Sequence, residues 1–78
     1  MPSDPPDAIR TMGARMRARR NELGLSLEEA APLCGVHWSA LGALERGQRN
    51  PSVLTLLRIV RGLDADPAEF VAGLEPTP

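Results

Sequence analysis

Apolar side chains recur along this chain at spacings of three, four and seven and no segment alternates with period two, a pattern that predicts helices throughout and no strands. Ile9, Met12, Met16 and Leu23 draw one stripe. It predicts a first helix over 7–23, starting at Asp7 and stopped by Gly24, with Arg15, Arg17, Arg19 and Arg20 crowded off the stripe. Ser26 and Glu29 stand at the S-x-x-E spacing, in which a hydroxyl and a carboxylate each accept a first-turn backbone N–H; they open a helix over 27–34 that ends before Gly35. A third helix covers 38–46, with His37 as a weak cap and Gly47 as its stop. After the loop Gln48-Arg49-Asn50-Pro51, Ser52 caps a fourth helix over 53–63, whose Val53, Leu56, Leu57, Val60 and Leu63 keep the three-four spacing. Asp66, Pro67 and Glu69 provide a cap, a first-turn proline and a carboxylate for a short fifth helix over 67–72 that carries Phe70 and Val71. Pro32 lies inside the second helix, where it removes a backbone donor and crowds the carbonyl four residues back, so a local distortion is expected there.

The ends read differently. Pro2, Pro5 and Pro6 make residues 1–6 a poor helix former and an expected disordered arm, and residues 75–78 a flexible tail, around one domain over 7–74. A chain of 78 residues buries only about 60% of its unfolded surface, so the fold must be economical and no separate sensor domain is expected. A single Cys34 excludes an internal disulfide, no basic segment precedes an apolar run, and the longest apolar stretches fall short of a bilayer span. The expected setting is the cytoplasm.

The formal net charge of −1 conceals an uneven distribution. Residues 8–63 hold all nine arginines against Glu22, Glu28, Glu29 and Glu45, a balance of +5, while Asp4, Asp7, Asp64, Asp66, Glu69 and Glu75 place −6 at the ends. A basic middle between acidic flanks is a local footprint for phosphate, set against the plainer reading of a solvated charged surface. Catalysis has little to work with. Cys34 and His37 lie three apart but lack two further ligands for zinc, Cys34 falls at an inward position, and neither a phosphate-binding glycine loop nor a catalytic triad pattern is present. No metal, no cofactor and no enzymatic activity are expected.

Residues 27–46 form two helices around a tight turn. Gly35 suits the turn, where a positive φ disfavours any residue with a Cβ; Ala31 is small enough for a close crossing; Ala30, Cys34, Val36, Leu41 and Leu44 take the other inward positions. Such a unit projects one face of its second helix, of a width that fits the DNA major groove. Together with Met12, Gly13, Arg17, Arg20, Gly24-Leu25-Ser26, Glu28-Glu29, Leu44-Glu45-Arg46-Gly47, Arg49-Asn50-Pro51-Ser52, Leu56-Leu57, Leu63 and Pro67, these positions resemble the Cro/C1-type helix-turn-helix family, also called lambda-repressor-like or XRE. The resemblance covers residues 9–74, and the stretch 45–52 is also similar to the restriction-modification controller subgroup.

The resemblance implies a compact all-α domain of five helices, a recognition helix over 38–46, and a two-fold dimer that reads a palindromic double-stranded DNA operator with half-sites about 34 Å apart. It implies dimerisation through the C-terminal helices, around Leu63 to Leu74, and a structural ion pair between Arg20 and Glu45. Carried onto this chain, the base-facing positions are Trp38, Ser39, Gly42 and Ala43, and the usual bidentate Gln, Arg, Lys or Asn carriers are missing, as is a Gln where Leu27 stands. Ser39 can bond a base edge, Trp38 and Ala43 can meet thymine methyls, and Trp38 can instead pack on its own scaffold. Arg46, Arg49, Asn50 and Ser52 flank the helix as phosphate contacts, with Arg10, Arg15 and Arg17 as further candidates. Phosphate contacts and DNA shape are then expected to supply much of the selectivity. The competing class is a protein-binding module of the same fold, an antitoxin or antirepressor with a regulatory protein partner, for which Trp38 beside Ala40, Leu41 and Ala43 would form the hot spot.

Overall fold

The computed structural model describes residues 7–76; the arm expected over 1–6 and the last two residues of the expected tail lie outside the described residues. Five helices follow in order: α1 (Asp7–Glu22), α2 (Leu27–Cys34), α3 (Trp38–Glu45), α4 (Val53–Gly62) and α5 (Pro67–Val71), with no strand among the described residues. Local chemistry sets the starts. The Ser26 hydroxyl accepts the Glu29 N–H at 3.1 Å while the Glu29 carboxylate accepts the Ser26 N–H at 2.9 Å, closing the box at the head of α2. That backbone hydrogen bond from Ser26 holds the Glu29 carboxyl below the usual carboxylate range. Ser52 caps α4 through the Thr55 N–H, and Asp66 with Glu69 repeats the box at α5 behind Pro67.

α2 packs on α3 and α4, and α1 packs on α3 and α5, around a core in which Met16, Cys34, Leu41, Ile59, Leu63 and Phe70 are fully buried. Two glycines set how closely the helices cross. A Cβ on Gly13 would lie 2.4 Å from the Leu44 carbonyl oxygen, so only glycine lets α1 run across the end of α3; a Cβ on Gly62 would lie 2.5 Å from the Leu33 carbonyl oxygen, with the same consequence for α4 on α2. Burial also pushes the Cys34 thiol up and leaves it a small apolar filler against α4.

Several expectations need correction. Leu23 is exposed, and the buried face of α1 is Met12, Gly13 and Met16. In α4 the inward residues are Ile59 and Val60, with Leu56 half-buried, while Val53 and Leu57 point to solvent at 75% and 48% exposure; the apolar arc of this amphipathic helix is wider than the face its neighbours cover, so spacing alone does not fix where its centre lies. α2 runs unbroken through Pro32. Both Pro32 and Glu28, the residue whose carbonyl the proline leaves without its helical donor, are exposed, so water can take that bond and the helix need not break.

Two arginines of α1 tie the C-terminal helices down. Arg15 donates through Nη1 to the carbonyls of Phe70 and Ala72 at 3.3 and 2.7 Å, and Arg19 donates to those of Leu63 and Asp64 at 3.0 and 2.9 Å. These are the carbonyls that the ends of α5 and α4 leave without helical partners, and a cation there is favoured by the helix dipole.

Candidate nucleic-acid interface

α3 divides into two faces. Leu41, Leu44 and Glu45 face inward and are buried; Trp38 and Ser39 are exposed and Ala43 half-buried on the outer side. Gly35, with φ of 66°, closes α2 and turns the chain so that α3 starts two residues after Val36.

The far end of α3 is locked to the scaffold. Arg20 grips Glu45 with two bonds, Nε to Oε2 at 2.7 Å and Nη2 to Oε1 at 2.9 Å, and spends a third donor on the Leu25 carbonyl at 2.8 Å. The side chains are 11% and 4% exposed, so both charges are largely out of water. The Glu45 hydrogen bond raises the Arg20 pKa further above its already high value, outweighing the opposite effect of burial. Bidentate geometry fixes the orientation of α3 as well as its position.

Gly42, expected to open the helix to close approach, is buried. A Cβ there would lie 3.0 Å from Arg46 Nη1 and 3.4 Å from Leu27 Cδ1. Arg46 therefore runs back along α3, as helical side chains do, and lays its guanidinium over the glycine, where Gln48 Oε1 accepts its Nε–H at 3.1 Å. Leu27 fills the other side. The outer face of α3 thus carries a guanidinium after all, supplied from one turn further along, a placement visible only once the helix is built.

A groove lies on each side of α3. One, of about 600 Å³, runs between the start of α3 and the start of α4 and is lined by Val36, His37, Ala40, Leu44, Arg49, Asn50, Pro51, Ser52 and Thr55. The other, of about 260 Å³, is lined by Arg17, Arg20, Leu27, Gly42, Glu45 and Arg46. The structure therefore brings Arg46, Arg49, Asn50, Ser52 and Arg17 around the helix. Arg10 sits with its backbone against Gly47, in the turn after α3. Arg15 does not join them: its guanidinium is held by the carbonyls at the end of α5, and the phosphate role considered for it gives way to a structural one.

Sequence reasoning gave His37 only a weak capping role. Its Nδ1 accepts the Ser39 N–H at 3.2 Å and lies 2.7 Å from Ser39 Oγ, and its ring rests beside that of Trp38, with centroids 5.7 Å apart at 32°. The His37-Trp38-Ser39 order was legible, but not that three side chains meet there. Among the described residues no group of three or more His, Cys, Asp or Glu could hold a metal, and no helix is long and apolar enough to cross a membrane.

A short helix pair at a glycine turn, with the second helix pinned by a buried ion pair and flanked by arginine-bearing grooves, defines a helix-turn-helix protein. The comparisons agree. The Helix-turn-helix family model HTH_3 matches residues 16–70, and the chain belongs to that family. It is 35% identical to the HTH-type transcriptional regulator y4dJ of Sinorhizobium fredii, over 92% of this chain and 94% of that one. Among solved structures, the restriction-modification controller protein C.AhdI from Aeromonas hydrophila is 41% identical with a TM-score of 0.76, covering 82% of this chain and 96% of that one. The P22 c2 repressor in complex with a synthetic operator is 31% identical with a TM-score of 0.73, covering 80% and 94%.

Proposed function

We propose that this chain is a sequence-specific double-stranded DNA-binding transcriptional regulator, a repressor or autoregulator acting in the cytoplasm, which places α3 in the major groove. The carrying observation is the outer face of α3, held rigid by Arg20 and Glu45 and flanked by arginines on both sides, joined on one side by the amide of Asn50 and the hydroxyls of Ser52 and Thr55. The relative of Sinorhizobium fredii bears the name of a transcriptional regulator, and the P22 c2 repressor was solved on an operator, which supports the same reading. Trp38, Ser39 and Ala43 meet base edges or methyl groups, with the guanidinium of Arg46 beside them over Gly42. Arg49, Asn50, Ser52, Arg17 and Arg10 hold phosphates and set register.

The reading includes a homodimer on a palindrome, with its surface moved from the expected one. Leu63 and Phe70 are consumed by the chain's own core, whereas Val53, Leu54 and Leu57 share one face of α4 and are 75%, 57% and 48% exposed. Three large apolar side chains give a patch on the order of 300 Å², a size that suits the apolar centre of an interface whose remaining area, toward the ~800 Å² per partner of a stable contact, is a polar rim. The same face favours a second reading, a docking site for a regulatory protein partner.

Selection from a randomised duplex library at two salt concentrations tests the proposal. A palindrome enriched with an affinity that falls steeply in salt supports it; absence of binding at low salt overturns it in favour of the protein-partner reading. Leu57→Glu, on the exposed face, is expected to leave the fold intact and abolish cooperative occupancy of the two half-sites.

A further inference from the structure

We infer that His37 fixes the hydrogen-bonding polarity of Ser39, so that Ser39 meets DNA only as an acceptor and reads a major-groove amino group, adenine N6 or cytosine N4. This rests on the DNA-binding reading above and names what one residue of that interface selects.

The Ser39 backbone N–H is aimed at His37 Nδ1 at 3.2 Å, the geometry of a ring nitrogen that accepts, and this assigns the ring hydrogen to Nε2. Ser39 Oγ lies 2.7 Å from the same Nδ1. With Nδ1 as the acceptor, the serine hydroxyl hydrogen is the one that fits that short line; the two donors share the single Nδ1 lone pair, and the 2.7 Å O–H···N contact is the closer of the two. A hydroxyl has one hydrogen; what remains on Oγ is lone pairs. The Trp38 ring beside His37 restrains the imidazole from swinging away, and Ser39 is exposed at the second position of α3, the end of a recognition helix that meets base edges.

In the major groove the donors are adenine N6 and cytosine N4; guanine O6 and N7, adenine N7 and thymine O4 are acceptors. A free serine bonds either kind. A serine whose hydrogen is held within the protein bonds the amino groups and is repelled by the acceptors. His37 is thus a positioning residue for specificity, and its own Nε2–H is left as a donor on the groove that Arg49 and Asn50 also line.

The test pairs protein variants with base analogues on the selected duplex. At the base pair whose preference changes in Ser39→Ala, the adenine is replaced by purine, or the cytosine by pyrimidin-2-one, removing only the amino group. Wild type is expected to lose about tenfold in affinity through the missing bond and Ser39→Ala to lose none beyond the analogue's effect on the duplex itself. His37→Ala frees the hydroxyl to donate as well, so it is expected to gain affinity for duplexes that present an acceptor, guanine or thymine, at that position, while His37→Asn, whose side-chain oxygen accepts from the same groups and caps the helix, restores the wild-type preference for the amino group. Equal losses in wild type and Ser39→Ala, or a Ser39-dependent loss on a 7-deazapurine instead, overturn the inference. If salt-dependent binding persists in that case, the DNA-binding reading stands without it; if no duplex binds at low salt, both fall.

Discussion

Replacing Glu45 by alanine would leave the Arg20 guanidinium, only 11% exposed, with the Leu25 carbonyl as its remaining hydrogen-bond partner and only the weaker attraction of Glu28 to offset its charge. Two charge-assisted bonds of 2.7 and 2.9 Å disappear and a largely uncompensated charge stays inside. Breaking one side of such a pair costs about 3–5 kcal/mol. A chain of this length has roughly 4–12 kcal/mol of total stability, so the loss is a large share of it. At about 4–8 °C per kcal/mol for a domain of this size, the melting temperature should fall by at least ~12 °C. Thermal unfolding followed by circular dichroism reads this directly. The double variant Arg20→Met with Glu45→Leu should recover most of the loss, because removing both charges also removes the cost of burying them. A Glu45→Ala protein that melts within about 4 °C of wild type would refute the reasoning, since a shift that small corresponds to about 1 kcal/mol, the scale of an exposed pair.

Further outcomes follow from the same geometry. Gly13→Ala should destabilise by at least about 1–3 kcal/mol in chemical denaturation, because its Cβ would lie 2.4 Å from a backbone oxygen that cannot step aside. Arg49→Ala should flatten the slope of log affinity against log salt by about one unit, whereas Arg15→Ala should leave the slope unchanged and lower the melting temperature, its guanidinium being bonded to the carbonyls of Phe70 and Ala72. Glu29 has a folded-state pKa depressed by the Ser26 hydrogen bond, so its stabilising contribution is present above the unfolded carboxylate pKa and lost as pH falls through the lower folded one. In Glu29→Gln that part of the acid-side loss should vanish from melting curves taken across the carboxylate range, because the amide oxygen still accepts from Ser26 without titrating.

What could be read from the chain and what could not divide along the range of the interactions. The five helices and the helix-turn-helix were legible because their signals are local: Ser26 and Glu29, Ser52, and Asp66 with Pro67 and Glu69 satisfy backbone groups two or three residues away, and Gly35 closes a helix at its own position. The pairing of Arg20 with Glu45 across 25 positions was reached through family resemblance, and its bidentate form is a property of the folded molecule.

The rest was decided only when the helices packed. The apolar arc of α4 is wider than one packed face, so its sequence does not fix which part turns inward, and contact with α2 chose Ile59 and Val60 while leaving Val53, Leu54 and Leu57 outward. From the sequence Arg15 is a candidate phosphate contact and Arg19 a charge off the apolar stripe, yet both meet carbonyls 44 to 57 positions away that exist as unpaired acceptors only once α4 and α5 have ended beside α1. That Gly13 and Gly62 must be glycine is set by neighbouring backbones that come within reach only in the folded chain. Arg46 likewise became part of the outer face of α3 because Gly42 left room for it. By itself the sequence determined where helices begin and end, since those bonds close within a turn; the tertiary structure decided which arginines face outward, because that depends on carbonyls and backbones brought near by distant parts of the chain.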